Sequence, residues 1–571
     1  MSTTIFRTSA ITRVVTIMVF ASGLNLTSGQ VQAKKDKDTA NLDDGERIEA
    51  LTELGKRVFF DPISDPKGAQ SCSSCHDPAT GWTGPSSDIN RLEVAQPGAN
   101  IHKDPEARGG LRPPTNAYAT LIPSFKFVDS PFGNNQVPVG GAFWDGRSEG
   151  DEPLFPNGAT EHIYLADVLA GVTEGTTPLS EFERAVKHYL GPVADQALNP
   201  FPNPVEQNIR EKAVCHHVEK SSYANLFRDA WGERIKCNED VYRTSFKRIA
   251  VALAAYQDSP EVNAFSSKRD DALRKELACM PLGEIQALSW AQRLPAGESV
   301  ESVLSRFGVD EIPCDTDKTD STPGRFPLAG LDEMENWGHD LFYAFGSVPV
   351  GAYDACMGEF ITEDSTPKPG ARCVACHTNN RGDDGTEPLQ IYSDHGYRNI
   401  GTPVNFEIPG VTEAALGLAG HTVDENGVIN EAHVGLVKTP GLRNVDKRPD
   451  DEFVKAYTSN GWFKSLESLV HFYNTSLVTP DDSIIGAVPN HDVVRCPDYI
   501  LTEAQALGDD GLPACWPEPG HTNAVSFRVG VTGNLGLSAC DEEAIVAYLK
   551  TFSDGFGDTK GGRPPKNKKS K

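Results

Sequence analysis

A mainly α-helical protein of two similar halves, with long loops and insertions, is what this chain of 571 residues predicts, and three observations carry that expectation. Apolar residues recur at helical spacing while strand-like alternation is scarce. A short segment recurs: Gly55-Lys56-Arg57-Val58-Phe59 and Gly338-His339-Asp340-Leu341-Phe342 each set an apolar pair three and four residues after a glycine, as on the core face of a helix. Each copy precedes a pentapeptide of one pattern, CSSCH at Cys72 to His76 and CVACH at Cys373 to His377.

The elements follow in order. After the first repeat, Phe246, Ile249, Ala250, Leu253 and Tyr256 form an apolar stripe. Leu466, Leu469, Val470 and Tyr473 form another, and Ala544, Ile545, Tyr548, Leu549 and Phe552 a third. The 52 Gly and 40 Pro mark long loops. The stretches 151–190, 280–327 and 476–535 are expected as insertions around a smaller helical frame.

Each pentapeptide offers two thiols that can add across the vinyl groups of a haem, followed by an imidazole that can reach its iron. A zinc knuckle would need a second ligand pair at short spacing, and a dithiol redox site would not need the histidine in both copies. The expectation is two covalently bound haems c, held by Cys72, Cys75 and His76 and by Cys373, Cys376 and His377.

Arg7 and Arg13, an apolar run from Val14 to about Leu24 and a small-residue site at Ala33 read as a leader for export, too short to span a membrane. Of the 12 Cys, those at 215, 237, 279, 314, 356, 496, 515 and 540 remain for disulfides in an oxidising compartment. Cys215 with Cys237, and Cys279 with Cys314, would each close a moderate local loop. The net charge of -27 speaks against nucleic acid and anionic membranes as partners and leaves room for a basic protein. The expected organisation is a signal peptide over 1–33, a first haem domain over 34–260, a linker or insertion over 261–327, a second haem domain over 328–555 and a disordered basic tail over 556–571.

The ordered blocks LGKRVFFDP (54–62), CSSCHDP (72–78), FWDGR (143–147), DQALNPFPNPVEQ (195–207), CVACH, YRNIGTP (397–403), LRNV (442–445) and SLESLVHFY (465–473) resemble the bacterial dihaem cytochrome c peroxidase and MauG superfamily. The resemblance implies two cytochrome c-like helical haem domains and a periplasmic or secreted peroxidase acting on hydrogen peroxide. It implies His76 as proximal ligand of a peroxidatic haem, Glu206 as acid/base, Gln196 as helper amide and Pro200 in the distal pocket. A peroxidase needs such groups because cleaving the O–O bond requires a proton to move between the peroxide oxygens. It also implies Trp144 as a relay between haems, and His377 with Tyr473 as ligands of the second iron. His102, the one histidine between 76 and 162, is expected on the surface, leaving the first iron open.

Tyr473 stands where conventional members carry Met, and a tyrosinate favours oxidised iron. The chain therefore resembles the MauG-like branch, in which peroxide generates high-valent haem iron and a Trp or Tyr side chain of a protein is oxidised by long-range electron transfer. GWTGP (81–85) and RPPT (112–115) resemble a branch associated with tryptophan oxidation in secreted copper-related proteins. Two departures matter. Arg112 falls where the family's calcium-site Asn is expected, which speaks against bound calcium, and AYTSNG (456–461) carries Ser459 where the family has His. Two other functions remain: a conventional peroxidase fed by a small cytochrome or cupredoxin, and a non-catalytic dihaem electron carrier.

Overall fold

The computed structural model describes residues 42–130, 136–151, 153–172, 178–295, 297–314, 328–379, 385–476, 493–522 and 533–557. The expected leader and the basic tail from 558 onward lie outside the described residues, as do 315–327, 477–492 and 523–532 of the expected insertions.

In the first half, helix α1 (Asp44–Phe60) opens on a capping box in which Asp43 and Glu46 each accept the other's backbone N–H, satisfying donors that the first turn leaves open. It is followed by α2 (Glu181–Tyr189), α3 (Pro192–Gln196), α4 (Glu211–Lys220), α5 (Ala224–Trp231) and α6 (Tyr242–Gln257). The second half carries α7 (Lys268–Cys279), α8 (Glu333–Tyr343), α9 (Leu466–Thr475) and α10 (Ala539–Lys550). A capping box of Asp332 and Glu335 opens α8 as another opens α1. The strands are short antiparallel pairs: β1 (Lys126–Asp129) with β2 (Gln136–Val139), β3 (Tyr353–Asp354) with β4 (Glu359–Phe360), and β5 (Tyr397–Arg398) with β6 (Val437–Lys438).

The repeated glycines are where helices cross. A Cβ on Gly55 would lie 1.8 Å from the Ala252 carbonyl oxygen of α6, and one on Gly338 would lie 1.9 Å from that of Ala544 on α10. The apolar pairs behind them, Val58 with Phe59 and Leu341 with Phe342, are buried in two separate cores. All three stripes expected from periodicity fall on helices, α6, α9 and α10, with Phe552 just past the last. Gly55→Val or Gly338→Val should push the crossing helices apart and destabilise that half by about 1–3 kcal/mol or more, read as a lowered denaturation midpoint.

Part of the expected linker is folded onto the second core: Ala272, Leu273, Leu277, Ile285, Trp290 and Phe307 are buried there. Asp270 on α7 pairs with both terminal nitrogens of Arg443, one bond being 2.9 Å long, and both side chains are buried. The Arg443 guanidinium lies 4.7 Å from the Phe265 ring and 5.5 Å from that of Tyr392, so flat aromatic faces cover a cation that its carboxylate neutralises. The disulfides Cys215–Cys237 and Cys279–Cys314 are formed as expected, and Cys356–Cys540 and Cys496–Cys515 complete the set among the described residues.

Two candidate haem sites

Both pentapeptides form a short 3₁₀ turn, over Cys72–Ser74 and Cys373–Ala375, that brings the cysteines and the histidine to one side of a loop. None of Cys72, Cys75, Cys373 and Cys376 is in a disulfide. The histidines are held alike. His76 Nδ1 lies 3.2 Å from the Trp82 carbonyl oxygen, and His377 Nδ1 lies 3.0 Å from that of Tyr392. An Nδ1–H donated to a carbonyl fixes the tautomer in which Nε2 keeps its lone pair for a metal. Trp82 and Tyr392 both have positive φ, 63° and 60°, which turns those carbonyls back onto the rings.

The first turn opens into a cavity of about 560 Å³ lined by Cys72, Cys75, His76, Gln196, Pro200 and Glu206. Helix α3, with Pro192 in its first turn, is tied down by Asp195, which accepts the Ile163 N–H at 2.9 Å and pairs with His162 at 2.8 Å. That anchorage sets Gln196 at the cavity wall. The Pro200 carbonyl accepts the Gln207 N–H at 3.0 Å, and Glu206 carbonyl accepts the Ala99 N–H at 2.7 Å, so the turn carrying Glu206 is braced from two sides. Burial holds the Glu206 carboxyl above the usual range, against the opposing charge of Arg147 and the Asn203 amide, which donates to Oε1 at 2.9 Å.

Trp144, 7% exposed, lines the same cavity. Its indole N–H donates to the Arg112 carbonyl at 2.8 Å, the Arg112 guanidinium lies 5.3 Å from its ring, and its own carbonyl accepts the Lys438 N–H of the second half at 3.0 Å. Arg112 Nε donates to the Thr458 carbonyl at 2.9 Å and its backbone N–H to that of Ser459 at 2.8 Å. The two sequence departures thus meet, and burial lowers the Arg112 pKa to about 10. Nearby, the buried Lys455 ammonium donates to the carbonyls of Thr80, Asn444 and Lys447 at 2.9, 2.8 and 3.0 Å.

The second turn has Tyr473 as its neighbour. Burial pushes the Tyr473 hydroxyl up, the Cys376 and Cys373 sulfurs add to that shift, and Arg398 opposes it. Arg398 is itself held by Asp394, at 2.6 and 2.9 Å, and by Thr439 Oγ1 at 2.7 Å. Tyr473 is placed by α9, whose N-cap Ser465 accepts the Ser468 N–H at 3.0 Å. His102 is exposed on a turn and does not line the cavity.

These residues suit a covalent haem. Thiols and a metal-ready imidazole share each loop, and the first cavity holds buried polar atoms without a protein partner, Gln70 Oε1 and Gln96 Nε2. Sequence reasoning missed Arg147, though it closes the FWDGR block, and Lys455, whose partners are backbone carbonyls that leave no residue signature.

A helical protein with two such loops, one opening on a cavity with a raised carboxyl, is a dihaem enzyme, a haem-dependent oxidoreductase of the peroxidase type. Residues 49–278 match the family model of the di-haem cytochrome c peroxidases. The methylamine utilization protein MauG of Paracoccus denitrificans is 24% identical over 513 residues, 89% of either chain. The diheme peroxidase BthA of Burkholderia thailandensis superposes with a TM-score of 0.52 at 20% identity, over 88% of this chain and 86% of that one. A variant of BthA gives 0.53 at 19%, over 89% and 86%.

Proposed function

We propose that the chain is a periplasmic or secreted MauG-like peroxidase that uses hydrogen peroxide to oxidise a Trp or Tyr side chain of a partner protein. Its two haems c are attached at Cys72 and Cys75 and at Cys373 and Cys376, in cytochrome c-like units over 34–260 and 328–555. The observation that carries the reading is the asymmetry of the two loops: the first opens on a cavity with Glu206 and Gln196, the second sits against Tyr473.

Bound haem would supply an iron that accepts peroxide and the electrons that cleavage of the O–O bond consumes. The chain's residues do the rest. His76 and His377 would hold the two irons through Nε2, since each Nδ1 is engaged by a backbone carbonyl. Glu206 takes a proton from one peroxide oxygen and returns it to the other, and its raised pKa brings it nearer to balance with that task. Gln196 orients the peroxide by hydrogen bonding. Tyr473 would hold the second iron opposite a histidine ligand's loop, and an oxygen donor there would disfavour the reduced state that a thioether favours. Trp144, hydrogen-bonded to both halves, bridges the sites. The disulfides support an oxidising compartment, and among the described residues no helix is long and apolar enough to cross a membrane.

Spectroscopy of the resting holoprotein tests this. One high-spin haem beside one low-spin His/Tyr haem is expected, and Tyr473→Phe should abolish the low-spin His/Tyr signature while leaving the first haem unchanged. Two low-spin haems inert to peroxide would overturn the reading in favour of an electron carrier. A native second-haem spectrum in Tyr473→Phe would remove the MauG-like chemistry.

A further inference from the structure

Beyond Tyr473, α9 leads into an aromatic cluster that the proposed reaction does not yet use. The Phe472 ring centroid lies 6.1 Å from that of Tyr473 and 5.3 Å from that of Trp516. Trp516 also stands 6.3 Å from Phe463 and 6.2 Å from Trp462. It is 3% exposed, directly follows the Cys496–Cys515 disulfide, and donates its indole N–H to Thr475 Oγ1 at 3.1 Å. Despite that burial it lines a second cavity, of about 500 Å³, together with His471, Asp509 and Asp510.

We propose that Trp516 is the relay through which electrons enter the second haem site from outside, a role that rests on the function proposed above. Tunnelling falls off exponentially with distance, so an indole in ring contact with the Tyr473 segment and set at a cavity wall replaces one long step with two short ones. In the first step one electron passes from Trp516 toward the second haem site, leaving the indole one electron short. In the second, a Trp or Tyr side chain of the partner protein gives one electron back to Trp516 and is itself oxidised. Two such passages consume the two equivalents of one peroxide.

The surroundings suit a transient cation. The indole N–H faces a hydroxyl that itself donates to the His471 carbonyl at 2.8 Å, so among the described residues its direct acceptor is a hydroxyl and not a strong base. Asp509 and Asp510 line the cavity, and the Glu542 carboxylate stands 3.1 Å from His471, whose ring is 5.8 Å from the indole. Negative groups near the indole ease the removal of an electron. With its proton retained and its charge balanced, the oxidised indole is a way station rather than an end point.

The test uses the holoenzyme and stoichiometric peroxide with no donor protein. Mass spectrometry should then find oxygen added chiefly at Trp516, whereas Trp290, equally buried at 3% and without a ring contact among the described residues, stays unmodified. In Trp516→Phe the resting spectrum and the first reaction with peroxide should be native, but reduction of the peroxide-treated enzyme by added N-acetyltyrosinamide should slow by roughly tenfold or more. Trp516→Tyr, which keeps an oxidisable ring, should restore it. Native reduction kinetics in Trp516→Phe, or oxygen addition mapped to other tryptophans in the wild-type chain, overturns the relay. The second outcome needs no variant to fold. If the wild-type holoenzyme does not react with peroxide, the proposed function fails instead.

Discussion

Glu206→Gln should lower peroxide turnover by about 10²–10⁴-fold, the usual worth of a positioned general acid/base, with both haem spectra of the resting protein unchanged. The amide has nearly the shape of the carboxylate and can still pair with Asn203, but it cannot accept and return a proton. The pH profile gives a second signature. Burial raises the Glu206 pKa, so its carboxylate form, the one able to take the first proton, is lost on acidification at a higher pH than an ordinary glutamate would show. The acid limb of the rate profile should lie above the usual carboxylate range in the native enzyme and disappear in the Gln variant. Stopped-flow mixing with peroxide across pH measures both, and an unchanged rate in Glu206→Gln would remove the residue from the mechanism.

Asp270→Asn should destabilise the protein by about 3–5 kcal/mol, because it leaves the buried Arg443 guanidinium without its countercharge. The direction of the pH effect follows from the native pair. Arg443 is the chief influence holding the Asp270 carboxyl down, against a larger desolvation cost, and its pKa is lowered from 3.8 to about 2. A depressed carboxylate adds stability above its unfolded value and loses it as pH falls through the folded one. The pair should therefore contribute about 2 kcal/mol near neutrality that fades between about pH 4 and pH 2. Urea denaturation of the holoprotein at neutral and acidic pH checks this: the gap between native and Asp270→Asn should narrow over that window, and a gap that widens on acidification would contradict it.

Much of this architecture is legible in the residues, and what is hidden has a common cause. The glycine repeat locates both helix crossings, because a missing side chain is a sequence event with a steric consequence. The stripes of α6, α9 and α10 are legible because each buries one face against a core. Two disulfides follow from short loops, but Cys356–Cys540, with a separation of 184 residues, depends on the second half being assembled first. The carbonyls of Trp82 and Tyr392 that hold the two imidazoles are backbone atoms, and any residue supplies a carbonyl. The same is true of the acceptors around Lys455. The 261–327 segment carried no pattern that said which core it joins, since its apolar residues Leu273, Leu277 and Trp290 would suit either.

At the first candidate site the CSSCH pentapeptide and the DQALNPFPNPVEQ block bring Cys72, Cys75, His76, Gln196, Pro200 and Glu206 to one cavity. Arg112 shows the other side of this. Its sequence position speaks against a bound cation, whereas its bonding shows that a guanidinium of the chain itself stands beside Trp144 and reaches the Thr458 carbonyl of the opposite half.

The ammonium of Lys455 is gripped by Thr80 of one half and by Asn444 and Lys447 of the other, with the Arg112 and Trp144 bonds running parallel to it. Opening a hinge there would strand a buried amine without its three carbonyl acceptors. The halves are consequently tied together at this point, and parting them would cost every one of these bonds at once.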